Sequence, residues 1–418
     1  MRISIHTFGT RGDFQPYLAM ALGLQARGHD VQLAAPRQFA ATAEKHGICF
    51  AALPGELLNL IGTPEGKAAL TRGKGFGAGL GLLKHARPLM RDLLDADWNA
   101  VRSFAPDLLI YHPKSLAIPH ISELIGVPCM LASPLPGFTP TSAFPTPILP
   151  FSNLGPLNKA SHGLATRSAS LLFGGLLRKW RASLDLPPSA RPHTPLATLY
   201  AYSPRVVPRP ADWGSDVLVS GYWFLDAPSW TPDPDLAAFL TEGEPPIYIG
   251  FGSMPGLDPQ QLTQICVEAL ARCGKRGVLA TGGGALAHTA NTPLVRTIAE
   301  APHHQLFSYV GATIHHGGAG TTGAALRAGK PTAACPFFGD QPFWARRIAH
   351  LGVGPPALDR KHLTPDRLAS SIMVMDDPDM RARASSIGAA IRTEDGIASA
   401  VEFIEKIMQA TPRTAVPR

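Results

Sequence analysis

The sequence is short of cysteine, of charge and of long apolar runs, and each shortage excludes something. Its five cysteines (Cys49, Cys129, Cys266, Cys273 and Cys335) are an odd and scattered set in 418 residues. No CxxC pair or Cys/His cluster suggests zinc, so no metal site is expected, and a reducing cytosol is the simplest setting. No apolar stretch is long enough to span a bilayer, and the longest loose run, Gly75–Leu83, is diluted by glycine. Ile3–Phe8 is too short for the apolar region of a signal peptide. A cytoplasmic chain is therefore expected, soluble or peripheral at a membrane. There is no GxGxxG fingerprint, which disfavours a nicotinamide oxidoreductase. No nucleic-acid motif is present, so no nucleic-acid partner is expected.

What is present is enough apolar sequence for two cores. Hydrophobic residues make up 45% and charged residues 17% of the chain, which rules out disorder. The length suits two domains of about 200 residues each. In the first half, Ile3–Phe8, Val31–Pro36, Pro106–Tyr111 and Pro128–Ser133 read as buried strands. Gln15–Arg27 and Ser115–Gly126 read as helices between them. Strand and helix in alternation predict a parallel α/β sheet covered on both faces. Pro134–Pro156 interrupts this as a loop rich in Pro, Thr and Ser. Leu171–Leu177 is an apolar patch followed by Arg178, Lys179, Trp180 and Arg181. It suits a packed helix, an acceptor pocket or a membrane surface alike.

Proline-rich Val207–Pro234 marks a linker, assigned to 211–240. A second alternation follows, with strands at Ile247–Gly252, Gly277–Thr281, Thr313–His316 and Thr332–Phe337. Helices are expected at Pro259–Cys273, Thr321–Ala328, Phe343–Leu351 and through most of Pro365–Met408. The charge is uneven. Residues 1–210 hold 21 Lys/Arg against 11 Asp/Glu, while 211–418 hold 17 against 20. A basic first half suits a solvated face or contact with an anionic membrane.

Four loops carry candidate chemistry. Gly9-Thr10-Arg11-Gly12-Asp13 follows the first strand, where Asp13 is either a general base or a helix cap. His315-His316-Gly317-Gly318-Ala319-Gly320-Thr321-Thr322 puts glycines and a helix N-terminus after a strand, a cradle for phosphate. Adjacent histidines on a strand point to opposite faces, which argues against a shared metal. Phe337-Phe338-Gly339-Asp340-Gln341 offers acceptors and a donor for a polyol, or is a polar turn. Gly250-Phe251-Gly252-Ser253 brings a hydroxyl to the same edge, and Gly282-Gly283-Gly284 borders it.

Together these blocks resemble the inverting nucleotide-sugar glycosyltransferases of the GT-B fold. The likeness is to the UDP-glycosyltransferase superfamily, in its sterol glucosyltransferase-like and antibiotic-tailoring branch. The residues that carry it are GTRGDFQPYLAMALGL at the start, FGSM at 251–254, HHGGAGTTGAALRAGKP at 315–331 and PFFGDQPFWARRI at 336–348.

The resemblance implies two Rossmann-like domains facing across a cleft: 1–210 for the acceptor and 241–395 for the nucleotide sugar. Residues 396–418 would be a helix and tail packing back on the first domain. It implies Asp13 as the base that deprotonates the acceptor, in a closed cleft that raises its pKa. His112, where plant relatives carry a second acid, would partner Asp13 or be structural. His316 lies 24 residues before Asp340, the family spacing, and would contact the diphosphate with Gly318, Ala319, Gly320, Thr321 and Ser253. Asp340 and Gln341 would hold sugar hydroxyls. Thr10, Gly12 and His303 are counted on the donor side.

Two departures stand out. Ala324 occupies the place of the ribose-binding Glu of plant relatives, and their base-stacking Trp has no counterpart near Glu300–His304. The implied donor is UDP-glucose, with no cofactor. The implied acceptor is a hydrophobic small molecule such as a sterol, polyketide, flavonoid or lipid. A dTDP-deoxysugar transferase for an antibiotic aglycone, or a catalytically idle ligand-binding relative, are the alternatives.

Overall fold

The computed structural model describes residues 1–58, 76–187, 193–226, 230–254 and 258–411. They divide into two compact units. One holds Met1–Pro204, Pro208–Leu225 and the stretch from Asp395, and the other holds Arg205–Val207 and Asp226–Glu394.

The first unit is a seven-stranded parallel sheet, in the order β3-β2-β1-β4-β5-β6-β7. Its strands are β1 (Arg2–His6), β2 (Asp30–Pro36), β3 (Cys49–Leu53), β4 (Leu108–Tyr111), β5 (Cys129–Ser133), β6 (Ala197–Tyr200) and β7 (Val217–Val219). Its helices are α1 (Arg11–Ala26), α2 (Ala40–Lys45), α3 (Phe76–Phe104), α4 (Ile118–Ile125) and α5 (Asn158–Ala182). The central strand β4 is a continuous apolar run because both faces are covered. Every residue of β4, Leu-Leu-Ile-Tyr, is buried. Ile3, Ile5, Leu33, Leu108 and Ile110 pack against Tyr17, Leu18 and Leu24 of α1.

The second unit is a five-stranded parallel sheet, in the order β10-β9-β8-β11-β12. The strands are β8 (Ile247–Gly250), β9 (Gly277–Ala280), β10 (Val295–Ile298), β11 (Ala312–His315) and β12 (Thr332–Ala334). Helices α6 (Pro234–Thr241), α7 (Pro259–Arg272), α8 (His303–Tyr309), α9 (Ala319–Arg327), α10 (Gln341–His350), α11 (Pro365–Val374) and α12 (Pro378–Arg392) surround it. The last helix, α13 (Gly396–Ala410), puts Ala400, Val401 and Ile404 into the core of the first unit. Gly23 of α1 makes room for it, since a Cβ there would stand 2.2 Å from Ile397 Cγ2.

Several elements differ from the sequence reading. α1 begins at Arg11 rather than Gln15, so Pro16 lies inside the helix. Strands β3, β6, β7 and β10 and helices α2, α3, α6 and α8 have no counterpart in the sequence reading. β7 and most of α6 fall within 211–240, the segment read as linker. The Pro134–Pro156 loop is ordered by side chains. Thr141 and the Ser142 N–H donate to Asp212, and the Thr146 N–H donates to Ser161.

Both sheets reverse their strand order once. β1 has β2 on one side and β4 on the other, and β8 lies between β9 and β11. Crevices for ligands form at such reversals, beyond the carboxyl ends of the strands.

Candidate functional site

At the first reversal, the loop after β1 and the loop after β4 bring three side chains together. Asp13 sits in the first turn of α1, with Thr10 as the N-cap. Its Oδ2 accepts the Thr10 N–H at 2.9 Å, and its main-chain oxygen accepts from Thr7 Oγ1 at 2.7 Å. The two roles read for Asp13 are therefore compatible, because one oxygen closes the helix end and the other faces the β4 loop. Gly9 makes this possible. Its φ is +149°, and a Cβ there would lie 2.0 Å from Asp13 Oδ2.

The other oxygen, Oδ1, accepts from Lys114 Nζ at 2.8 Å and lies 3.4 Å from His112 Nε2. His112 Nδ1 accepts the Lys114 N–H at 3.0 Å, which assigns the ring proton to Nε2, toward Asp13. Burial pushes His112 down to about 3, with Asp13 opposing and Lys114 assisting, so the ring is neutral at pH 7. For Asp13, burial acts to raise the pKa. The Lys114 ammonium, the nearby His112 and the Thr10 N–H overcome it and hold the carboxyl below its ordinary value. The expectation of a raised pKa is thus reversed in this structure, and the reason is Lys114, which sequence reasoning missed. Tyr17 packs edge-on against His112 and donates its hydroxyl to the Ala132 carbonyl, beneath this cluster.

A buried pair supports β1 from below. His6 Nδ1 and Asp97 Oδ1 of α3 are 2.8 Å apart, and both side chains are buried. His6 Nε2 meets Ser4 Oγ, which donates to Gln32 of β2.

At the second reversal the donors are mostly backbone. His315 ends β11 and is fully buried. Its Nδ1 accepts the Gly317 N–H at 2.9 Å, so its Nε2–H donates to Thr332 Oγ1, also at 2.9 Å. His315 therefore shapes the turn. His316, the next residue, has a buried Nδ1 with no hydrogen-bond partner, and Thr322 Oγ1 is in the same condition. Burial lowers His316 to about 4, which keeps it neutral at pH 7 and able to give a single N–H.

Gly318 is the N-cap of α9, and a Cβ on it would stand 2.5 Å from His316 Nε2. Ala319, Gly320 and Thr321 form the first turn of α9, where backbone N–H groups lack intrahelical acceptors. Gly252, after β8, lies against the His316 ring, and Gly283, after β9, lies against Gly252. Ser253 is exposed in the loop between them.

The loop after β12 joins the same edge. Gln341 is buried, and its Oε1 accepts the N–H groups of Phe337 (2.7 Å) and Phe338 (3.2 Å). Its Nε2 donates to Met254 Sδ. The Gln341 side chain is thus engaged in fixing the loop. Asp340 occupies the N-cap position of α10 without a side-chain capping bond, and Trp344 Nε1–H donates to its Oδ2 at 2.8 Å. His303 stacks on Phe307 and meets the Tyr248 hydroxyl through Nε2 at 3.1 Å. Ala324 is buried in the cluster of Tyr248, Leu306 and Phe307, so this position faces a core.

The structure therefore gathers Thr10, Asp13 and His112 in one place, and Ser253, His316, Gly318, Ala319, Gly320 and Thr321 with Asp340 and Gln341 at one sheet edge. Gly12 lies on the exposed first turn of α1, with no atom within 4 Å of a Cβ there. In the Leu171–Leu177 patch and its basic edge, which suit a packed helix, an acceptor pocket or a membrane surface, Leu177 and Trp180 are buried in the helix–sheet core. Residue 75 and the side chains of 76–83 lie outside the described residues.

Residues 3–145 match the glycosyltransferase family 28 N-terminal domain, and residues 266–402 match the erythromycin biosynthesis protein CIII-like C-terminal domain. The sterol 3-beta-glucosyltransferase UGT80B1 of Arabidopsis thaliana is 34% identical, over 97% of this chain and 68% of its own length. The sterol 3-beta-glucosyltransferase of Emericella nidulans is 35% identical, over 98% of this chain and 30% of its own. The chain thus spans two thirds of the plant protein and under a third of the fungal one. The crystal structure of the glycosyltransferase of kitacinnamycin superposes with a TM-score of 0.74 at 18% identity, covering 97% of this chain and 98% of that one, which supports the fold. With the plant relative at this level and coverage, the chain belongs to the UDP-glycosyltransferase superfamily of GT-B glycosyltransferases, in its sterol glucosyltransferase-like branch.

Proposed function

We propose that this glycosyltransferase moves glucose from UDP-glucose onto the hydroxyl of a hydrophobic small molecule, with inversion and without a metal ion. The observation that carries this is the carboxylate of Asp13, kept ionised by Lys114 and cornered by a neutral His112. An ionised carboxylate at a ligand crevice is equipped to take a proton. Asp13 accepts the proton of the acceptor hydroxyl. The oxygen attacks the anomeric carbon and forms the new glycosidic bond. The bond from that carbon to the diphosphate breaks, and its electron pair leaves on the phosphate oxygen.

The departing charge meets N–H donors from the 317–321 turn, the His316 ring and the positive end of α9. Those fixed donors make a metal dispensable. His316 supports this role, since it sits in a phosphate-type loop with a buried nitrogen that has no partner. Asp340 accepts from sugar hydroxyls in this reading.

The test is incubation with UDP-glucose, EDTA and a panel of hydrophobic alcohols, read by mass spectrometry, beside Asp13→Asn. The expected result is a hexose adduct with inverted anomeric configuration, reduced by about 10²–10⁴-fold in the variant. Product that needs added magnesium would overturn metal independence, and retained configuration would overturn inversion. Equal product from the variant would remove Asp13 from the role of base.

A further inference from the structure

We infer that the exposed leucine stripe of α5 seats on an anionic lipid bilayer surface. The inner face of α5 is spoken for: His162, Leu177 and Trp180 are buried. Among the described residues, its outer side carries large apolar side chains where a solvated helix face is polar. Leu157, at the N-cap, is 64% exposed, Leu164 53% and Leu171 80%, and Leu172 is also exposed. Residues seven apart differ by about 20° around a helix, so these three leucines lie almost on one line. Scattered exposed apolar residues are ordinary, whereas an aligned series on one helix marks a contact surface. Phe151 and Ile148, also exposed, belong to the loop that Asn158 ties to the helix start through Leu154, Asn153 and Ser142.

Charge selects the occupant. From Leu124 to Leu184 the chain has five basic residues and no acidic one. Arg181 is buried and paired with Glu123. By helical spacing, exposed Arg167 and Arg178 flank the stripe on one side and exposed Lys179 flanks it on the other. An apolar line edged by cations is the pattern of a helix lying in the interface of an anionic membrane. A second copy of the chain would set this basic rim against itself. The inference concerns binding alone and is independent of the transfer chemistry.

The test is co-sedimentation of the full chain with phosphatidylglycerol or phosphatidylcholine vesicles. The parent protein should pellet with phosphatidylglycerol and be released by salt. Each cation near such a surface adds about five-fold to partitioning, so Arg167→Gln/Arg178→Gln/Lys179→Gln should lose on the order of 100-fold. Leu164→Ser/Leu171→Ser should lose at least about ten-fold per residue. All four substituted groups besides Lys179 are exposed as well, so both variants should keep the parental melting temperature. A parent protein that stays in solution with both vesicles would overturn the inference. So would binding to phosphatidylglycerol that survives both variants, or a dimer in sedimentation velocity that Leu164→Ser/Leu171→Ser dissociates.

Discussion

The two strand-order reversals of this molecule share a topology and differ in chemistry. At β1/β4 the groups are side chains carrying full charges, Asp13 and Lys114, with a neutral His112 in the same loop as Lys114. At β8/β11 they are backbone N–H groups, a helix N-terminus and neutral histidines. The difference follows from the loops. Gly9 leaves space for a carboxylate to fold back over the turn, while Gly318 leaves space for an imidazole. The first arrangement suits moving a proton, and the second suits holding a polyanion. A doubly wound fold can therefore be specialised by the few residues that follow its two central strands.

After the loss expected of Asp13→Asn, the largest effect breaks the second site. His316→Ala should cost on the order of 10²–10³ in transfer rate, the usual loss for one oxyanion-type donor, measured as initial rate at saturating acceptor.

The next breaks the support beneath the first site. Asp97→Ala leaves the His6 ring without its buried carboxylate partner and should lower unfolding free energy by about 3 kcal/mol, read by urea denaturation.

Then comes pH. His112, His315 and His316 are held neutral by burial, so the unfolded chain binds more protons than the native one below the ordinary histidine value of 6.5. Stability should therefore fall as pH drops from 6.5 toward about 4, where His316 protonates in the fold. The slope should be at most about 1.4 kcal/mol per pH unit for each histidine.

The smallest effect sharpens the first site. Lys114→Met removes the main group that lowers Asp13, so Asp13 stays protonated to a higher pH. The acid limb of kcat/KM should move up in pH, while the plateau rate stays within about five-fold, as for a half-exposed ion pair.

Much of this was legible in the sequence. Strands buried on both faces read as unbroken apolar runs, as in Leu108–Tyr111, and the His316 turn announces itself by its glycines. Edge and short strands did not read. In β3 only Leu53 is buried, so its pattern has no period, and β7 is three residues long amid prolines. Lys114 and Asp97 were invisible for another reason. Lys114 meets Asp13 across 101 positions, and Asp97 meets His6 across 91, so no local pattern links either pair. Gln341 was readable as a polar residue beside Asp340, but its bonds to Phe337, Phe338 and Met254 depend on how the loop closes.

The division of labour between the two reversals is tested most directly by calorimetry of UDP binding beside the transfer rate, for Asp13→Asn and His316→Ala together. Asp13→Asn should bind UDP as the parent does and lose on the order of 10³-fold in transfer. His316→Ala should lose affinity for UDP as well as rate. An Asp13→Asn protein that transfers at the parental rate would contradict this division.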